Sequence, residues 1–366
     1  MRLCIKLARY NKTLKLSVHT IIMTEKYLIT KYIDSLNNNA VRCKLCPNMC
    51  VISEGSAGVC TTRVNINGKL YSTVYGYPCS IHIDPIEKKP LYHYYPSEGI
   101  LSLGTFGCNL FCKGCQNFDI SRANADDNIK KKNLKYVTPT EIINIALENN
   151  IKLIAYTYNE PTIFFEYMLD IARLAKAKKI KNVIVSNGYI SPEPLKELCK
   201  YIDAANIDIK GITEKFYRQY SRVDIKPILN TIKILHKKHI WLELTNLIIP
   251  GLNDSPKDIK KLCEWIKDNV GKDVPLHFSR FYPYYGASNI PQTPSTILEK
   301  AKNIASAVGI EYIYIGNLGF LENTYCPKCK EIIISRSHIS VKIKNLTGQD
   351  KNQCANCKNI IPGVFK

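Results

Sequence analysis

The chain lacks any run of the roughly 18 to 20 consecutive apolar residues that a bilayer-spanning helix needs, although 45% of its 366 residues are hydrophobic. Its apolar runs near residues 100–106 and 151–158 are strand-sized. The sequence therefore argues against a membrane span. It has enough apolar residues for a sizeable core, as one large domain with appendages or as two ordinary domains. Acidic residues are scarce: 31 Asp and Glu stand against 51 Lys and Arg, a formal charge of +20. That imbalance does not by itself make a nucleic-acid binder, because 41 of the basic residues are Lys and they are spread along the chain. Clusters at 130–132, 176–181 and 237–238 read as solvated helix faces or loops. Repeats and long low-complexity tracts are absent, and Asn37-Asn38-Asn39 is only a polar linker. No secretory signal is present, which points to a reducing, cytoplasmic setting. Residues 1–22 carry basic but no acidic side chains and superficially suit a transit peptide. Met23, followed by Thr-Glu-Lys-Tyr-Leu, offers an alternative start that leaves the upstream segment without a folded role.

Cysteine is what the chain has in excess. Eleven of its 15 cysteines fall in three tight groups, 43/46/50/60, 108/112/115 and 326/329/354/357, while Cys4, Cys79, Cys199 and Cys263 stand alone. Thiols two or three residues apart suit a shared metal better than a disulfide framework.

From residue 100 onward, strand-like segments (100–105, 152–158, 182–186, 204–209, 240–249, 276–281 and 311–315) alternate with helical ones (139–149, 164–178, 193–201, 225–237, 258–269 and 297–308). Helix entry signals accompany them: Thr138-Pro139-Thr140-Glu141, Ser191-Pro192-Glu193 and Asp254-Ser255-Pro256. About seven strands separated by helices predict a parallel α/β barrel or part of one, with its chemistry at the carboxyl ends of the strands. Residues 36–99, with hairpin-like Asn65-Ile66-Asn67-Gly68 and many turn formers, predict a small metal-stapled subdomain. The expected division is an extension at 1–35, the Cys-rich subdomain at 36–99, the barrel at 100–322 and a zinc-ribbon-like tail at 323–366.

Directly after the first barrel strand stands Cys108-x3-Cys112-x2-Cys115. A cubane cluster has four irons, so three thiolates leave one iron open to chelate the amino and carboxylate groups of S-adenosylmethionine. A zinc site lacking a distant fourth ligand is the plainer alternative. Cys43-x2-Cys46-x3-Cys50-x9-Cys60 can close four thiolates around zinc or around a second cluster, and spacing alone does not choose. Cys326-x2-Cys329 and Cys354-x2-Cys357, 24 residues apart, form a zinc-ribbon pattern, with residues 331–343 as the hairpin. A rubredoxin-like iron site has the same spacing.

The central loop, with Gln116-Asn117 after it, resembles the radical S-adenosylmethionine (SAM) superfamily, and its AmmeMemoRadiSam branch most of all. That branch is similar to pyruvate formate-lyase activating enzyme. The resemblance spans roughly residues 43–366. It includes Asp84-Pro85-Ile86-Glu87-Lys88-Lys89-Pro90-Leu91-Tyr92-His93, Tyr156-Thr157-Tyr158-Asn159-Glu160-Pro161-Thr162, Thr245-Asn246-Leu247-Ile248-Ile249-Pro250-Gly251 and the ending Ile361-Pro362-Gly363-Val364. It implies a partial (βα)6-type TIM barrel and a [4Fe–4S] cluster on Cys108, Cys112 and Cys115. SAM would lie beside Asn159 and Glu160 through its ammonium, beside Ser186 and Asn187 through ribose or carboxylate, and beside Asp208 and Lys210 through its carboxylate. A helix-capping turn at Glu160-Pro161 and a strand-end salt bridge at Asp208 and Lys210 are the structural alternatives, and Arg280 is a further strand-end candidate. Two departures from the pattern stand out. Gly114 occupies the place where the superfamily often has an adenine-touching aromatic, leaving Phe111 or Phe118 as substitutes, and Val185 replaces an Asp, which speaks against a carried-over cation site.

The implied function is oxidoreductase-type radical chemistry, in which a reduced cluster cleaves SAM to a 5′-deoxyadenosyl radical that abstracts hydrogen from an unidentified substrate. A one-electron donor such as ferredoxin or flavodoxin would supply the electron. A glycyl-radical activase acting on a partner protein, and then a tRNA-modifying enzyme, are the next readings. An iron–sulfur and zinc module for electron transfer or nucleic-acid binding is the non-enzymatic alternative, but it leaves the three-cysteine loop after a barrel strand unexplained.

Overall fold

A computed structural model describes residues 28–319, 322–337 and 340–365. The transit-peptide and alternative-start readings fall on residues outside that set. The centre of the fold is an eight-stranded sheet: β1 (Ser80–Pro85), β2 (Gly99–Gly104), β3 (Leu153–Tyr156), β4 (Lys181–Ser186), β5 (Ala204–Asp208), β6 (Trp241–Ile248), β7 (Leu276–Arg280) and β8 (Ile313–Gly316), ordered in space as in sequence. β2 to β8 run parallel, and β1 pairs antiparallel with β2 at one edge. The parallel strands are short, largely apolar runs, and Leu153-Ile154-Ala155-Tyr156 is buried on both faces, as a strand flanked by crossover helices must be. Six strand–helix units followed by a seventh parallel strand make the partial barrel that the alternation predicted.

The helix entries are built as the sequence signalled. Thr138 accepts from the Glu141 amide while Glu141 reaches back to the Thr138 amide, and the Ser255 side chain accepts from the Asp258 amide. Ser191 precedes Pro192–Leu198 without a side-chain cap bond. The connection from β2 to β3 also holds Phe118–Ser121 and Ala125–Lys131, and Glu214–Tyr220 follows β5; these helices are too short to show a period.

Ser80–Pro85, expected within the Cys-rich segment, instead belongs to the central sheet, because its antiparallel pairing to β2 gives the barrel an edge strand. Leu28–Ile29 and Ile33–Ser35, expected in the extension, pair with Lys69–Ser72 and Val41–Cys43. The hairpin Arg63–Ile66 to Lys69–Ser72 turns through Asn67 (φ 52°) and Gly68 (φ 72°), where two successive left-handed residues match the twist of the strands.

At the carboxyl terminus Thr324–Tyr325, Ile332–Arg336 and Val341–Ile343 form an antiparallel ribbon. The last residues return to the barrel: the Val364 amide donates to the His93 carbonyl and the Tyr95 amide to the Val364 carbonyl, both at 2.8 Å. Two widely separated segments quoted for the family resemblance thus meet in space.

Candidate active site

Gly107 opens the cysteine loop at φ 87°, and a side chain there would lie 2.5 Å from the Cys60 carbonyl oxygen and 2.5 Å from Thr62 Cγ2. The loop is therefore pressed against the amino-terminal segment, and only glycine fits. Asn159 holds it from the barrel side: its Nδ2 donates to the Gly107 carbonyl at 2.9 Å and its Oδ1 accepts from the Thr105 amide at 3.1 Å. The Phe111 and Lys113 amides donate to the carbonyls of Ser221 and Tyr220.

The three cysteines lie on the wall of a cavity of ≈ 720 Å³ at the carboxyl ends of the strands. All six residues expected to contact SAM, Asn159, Glu160, Ser186, Asn187, Asp208 and Lys210, line the same cavity. Burial pushes the Cys108 and Cys112 thiols up, with Glu160 adding to the effect at Cys108 and Lys210 opposing it at Cys112. Thiols in that state become ligands when a metal displaces their protons. The Ser221 hydroxyl lies 3.2 Å from Cys112 Sγ, and Asn187 Nδ2 lies 3.8 Å from Cys108 Sγ.

Glu160 is buried, and its carboxylate accepts from the Thr162 amide (2.9 Å) and hydroxyl (2.6 Å), the Ser186 hydroxyl (2.8 Å) and the Asn187 amide (2.8 Å). Three of these bonds fall on Oε1 and one on Oε2. Burial pushes this carboxyl up, against the lowering effect of those four donors. Lys210 Nζ sits 2.7 Å from Asp208 Oδ2. Burial disfavours its charge, yet Asp208 and then Cys112 outweigh that and hold the ammonium well above its ordinary range.

Gly114 has no room for an aromatic, since a Cβ would stand 2.7 Å from both Phe281 Cε2 and Tyr220 Oη. Neither proposed substitute faces the cavity. Phe111 lies under the Arg122 guanidinium (4.3 Å), and Phe118 stacks on Tyr285 (5.2 Å). Tyr220 does line it, and its hydroxyl accepts from the Gly114 amide at 3.2 Å. Ser279, not its neighbour Arg280, borders the cavity from β7.

Asp84, Lys89 and Tyr158 were not singled out as site residues. Lys89 Nζ bonds Asp84 Oδ2 at 2.8 Å and lies 4.6 Å from the Tyr158 ring, and the Tyr158 hydroxyl donates to the same oxygen at 2.7 Å. Lys89 and the Tyr158 hydroxyl hold the Asp84 carboxyl at about 2, although burial alone would raise it. The signal was present in the quoted 84–93 segment; what sequence lacked was the antiparallel β1, which carries that segment to the cavity rim.

At the other cysteine groups, Cys326 and Cys357 sulfurs lie 3.5 Å apart and Cys329 and Cys354 sulfurs 3.6 Å apart. Among the described residues, this quartet is the only group of three or more His, Cys, Asp or Glu whose ligand atoms all gather within 4.8 Å. No described helix is long and apolar enough to cross a membrane.

The family described as Radical SAM superfamily matches residues 103–266. The chain is 44% identical over 328 residues to uncharacterized protein MJ0808 of Methanocaldococcus jannaschii, covering 89% of this chain and 96% of that one. It is 30% identical over 173 residues to the 4-hydroxyphenylacetate decarboxylase activating enzyme of Clostridium scatologenes, which is 45% of this chain and 55% of that enzyme's length. A crystal structure of a radical SAM methyltransferase from Sphaerobacter thermophilus superposes with a TM-score of 0.47 at 12% identity, covering 61% of this chain and 67% of that one. A three-cysteine loop after the first strand of a partial parallel barrel, matched by that family over the strands that carry it, makes this chain a radical SAM enzyme and a member of the radical SAM superfamily.

Proposed function

We propose that Cys108, Cys112 and Cys115 hold the [4Fe–4S] cluster that family membership implies, and that SAM binds beside it in the strand-end cavity. The observation that carries this reading is the convergence of three half-buried cysteines, a fixed carboxylate and a half-buried ammonium on one cavity. The donor set fits: three sulfurs without a fourth leave an open iron, and they are spread more widely than single-ion spacing. When bound and reduced by one electron from a donor of the ferredoxin or flavodoxin kind, such a cluster supplies reductive cleavage of SAM to methionine and a 5′-deoxyadenosyl radical, which abstracts hydrogen from substrate.

The chain's own residues bind and orient. Glu160, anchored by four donors, turns Oε2 to receive an ammonium. Lys210, steadied by Asp208, offers a cation to a carboxylate. Asn187 donates toward the Cys108 sulfur and fixes Asn109 through a 3.0 Å bond. Asn159 sets the loop rather than presenting a free amide to the cofactor, since its side chain is committed to Thr105 and Gly107.

The substrate reading is an AmmeMemoRadiSam-type reaction on an unidentified molecule, supported by Asp84, Lys88 and Lys89 from the 84–93 segment on the cavity wall. A glycyl-radical activase acting on a protein is the second reading, favoured by the likeness to an enzyme named as an activating enzyme. At the tail, zinc is the ion we assign to Cys326, Cys329, Cys354 and Cys357. A tetrahedral ion with bonds of about 2.3 Å sets sulfurs about 3.8 Å apart, close to the 3.5 and 3.6 Å found. A reducing, cytoplasmic location accords with these unpaired thiols.

The test is anaerobic reconstitution with iron and sulfide, dithionite reduction and chromatographic detection of 5′-deoxyadenosine. Wild type is expected to form it and Cys112→Ala to form none. A cluster-loaded wild type that forms none with any candidate substrate present would overturn the reading.

A further inference from the structure

Cys43, Cys46, Cys50 and Cys60 converge on a second, smaller pocket that the cleavage chemistry does not use, walled also by Leu45, Ile52, Arg63 and Asn109. The chain folds tightly to bring them there. Cys43 ends the strand Val41–Cys43 and its amide donates to the Cys50 carbonyl at 2.9 Å. Met49 takes φ 45° to turn the chain between Cys46 and Cys50, and the Thr61 amide closes back on the Gly58 carbonyl at 2.8 Å beside Cys60.

The Thr62 hydroxyl donates to Cys60 Sγ at 3.4 Å. A donor aimed at a sulfur is what a ligated thiolate needs, and such bonds tune the potential of iron–sulfur centres. A cation stands on the same wall: Arg63 is buried, and its Nε has no partner while its terminal nitrogens bond Glu166.

Two quartets of cysteine in one chain allow the nuclearity to be read by comparison. The carboxy-terminal sulfurs stand 3.5 and 3.6 Å apart, at the spacing of one tetrahedral ion. The amino-terminal quartet is not gathered at one point in this way, and neither are Cys108, Cys112 and Cys115. Thiolates that each bind a separate iron of a cubane stand further apart than thiolates sharing one ion, and they surround a pocket rather than meeting at a point.

We propose that Cys43, Cys46, Cys50 and Cys60 ligate a second [4Fe–4S] cluster, closed by four thiolates and seated against the loop of the first. The two sites touch. Asn48, between Cys46 and Cys50, donates its Nδ2 to the carbonyl of Asn109 at 2.8 Å, and Asn109 is the residue after Cys108. This assignment does not rest on the cleavage reaction, and its test reads iron rather than turnover.

The full chain is reconstituted anaerobically, and iron, sulfide and zinc are counted alongside Mössbauer spectra. Wild type is expected to hold about eight irons and eight sulfides. Cys108→Ser/Cys112→Ser/Cys115→Ser is expected to keep about four irons with the spectrum of a cubane, and Cys46→Ser/Cys50→Ser to lose about four while still forming 5′-deoxyadenosine if the first site is intact. A triple variant without iron, or a wild type with about four irons and about two zincs, would overturn the second cluster and leave the cleavage proposal standing. If the triple variant does not fold, retention of all the wild-type iron by Cys46→Ser/Cys50→Ser overturns it independently.

Discussion

The two ends of the central sheet each bury one carboxylate that accepts four hydrogen bonds, yet the two are finished differently. At the amino ends of the strands, Glu243 accepts from the amides of Tyr92 (2.9 Å) and His93 (2.8 Å), from Trp241 Nε1 (3.1 Å) and from His277 Nε2 (2.7 Å). Burial favours its neutral form, but the His277 imidazole and the other donors override that and hold the carboxyl low. Glu160, at the carboxyl ends, has only neutral donors, its carboxyl is pushed up by burial, and a cavity lies beside it. A buried carboxylate that the protein has already paired with its own imidazole is structural. One left without a cation, next to open space, is prepared for a cationic ligand.

The sharpest way to break this contrast is Glu243→Ala. It strands two amides, the Trp241 indole and His277 in a sealed core, and should cost about 3 to 5 kcal/mol of stability. Thermal denaturation would show it, with 5′-deoxyadenosine formation per folded molecule unchanged. A large loss of cleavage without a loss of stability would mean that the amino-end network is more than scaffold.

Acid should act on the same end. His93 donates Nδ1–H to the Pro362 carbonyl (2.7 Å) and accepts from the Tyr314 hydroxyl (2.6 Å), and burial lowers its pKa from 6.5 to about 4. A depressed histidine binds its proton more readily when unfolded, so stability falls as pH falls from 6.5 towards 4, by up to about 3 kcal/mol. The lowered Glu243 carboxyl adds a further loss below its ordinary value of about 4.5 as it protonates in the folded state. Urea unfolding between pH 7 and 4 measures the slope, and His93→Gln should flatten it whatever it does to the absolute stability.

The third effect is on binding. Glu160→Gln keeps the shape of the side chain but removes the charge that meets an ammonium, and should weaken SAM by about 1.5 to 3 kcal/mol, roughly 10- to 150-fold. Its melting temperature should fall less than that of Glu243→Ala. Equal affinity in calorimetry on the cluster-loaded protein would return Glu160 to the role of a helix-entry cap, which it also performs for Thr162.

Much of the barrel was legible because its signals are local. The apolar period alternated between strand and helix, and Thr138, Ser191 and Ser255 marked entries within a residue or two of the observed helices. The cysteine spacings were equally local. Asn159, Glu160, Ser186, Asn187, Asp208 and Lys210 were placed by resemblance, and all reach the cavity because each ends, or directly follows, a parallel strand. Tyr220 and Ser221 were not legible, since their helix is short and they approach Cys112 and Gly114 from a different strand–helix unit. Phe111 and Phe118 were candidate adenine contacts by position alone; in the structure their rings meet Arg122 and Tyr285, and neither is among the residues that line the cavity.

The sequence by itself determined the number and order of the strand–helix units, the three cysteine groups and the glycines at which their loops turn. Those depend on residue type and spacing along the chain. Only the tertiary structure decided that Ser80–Pro85 closes the edge of the sheet, that Val364 returns to His93, and that Glu160 opens on a cavity while Glu243 is sealed. It also distinguished two cysteine quartets, one drawn to the radius of a single ion and the other set around a pocket. Those outcomes depend on which surfaces pack together across more than a hundred residues of chain, and no local period or motif encodes that.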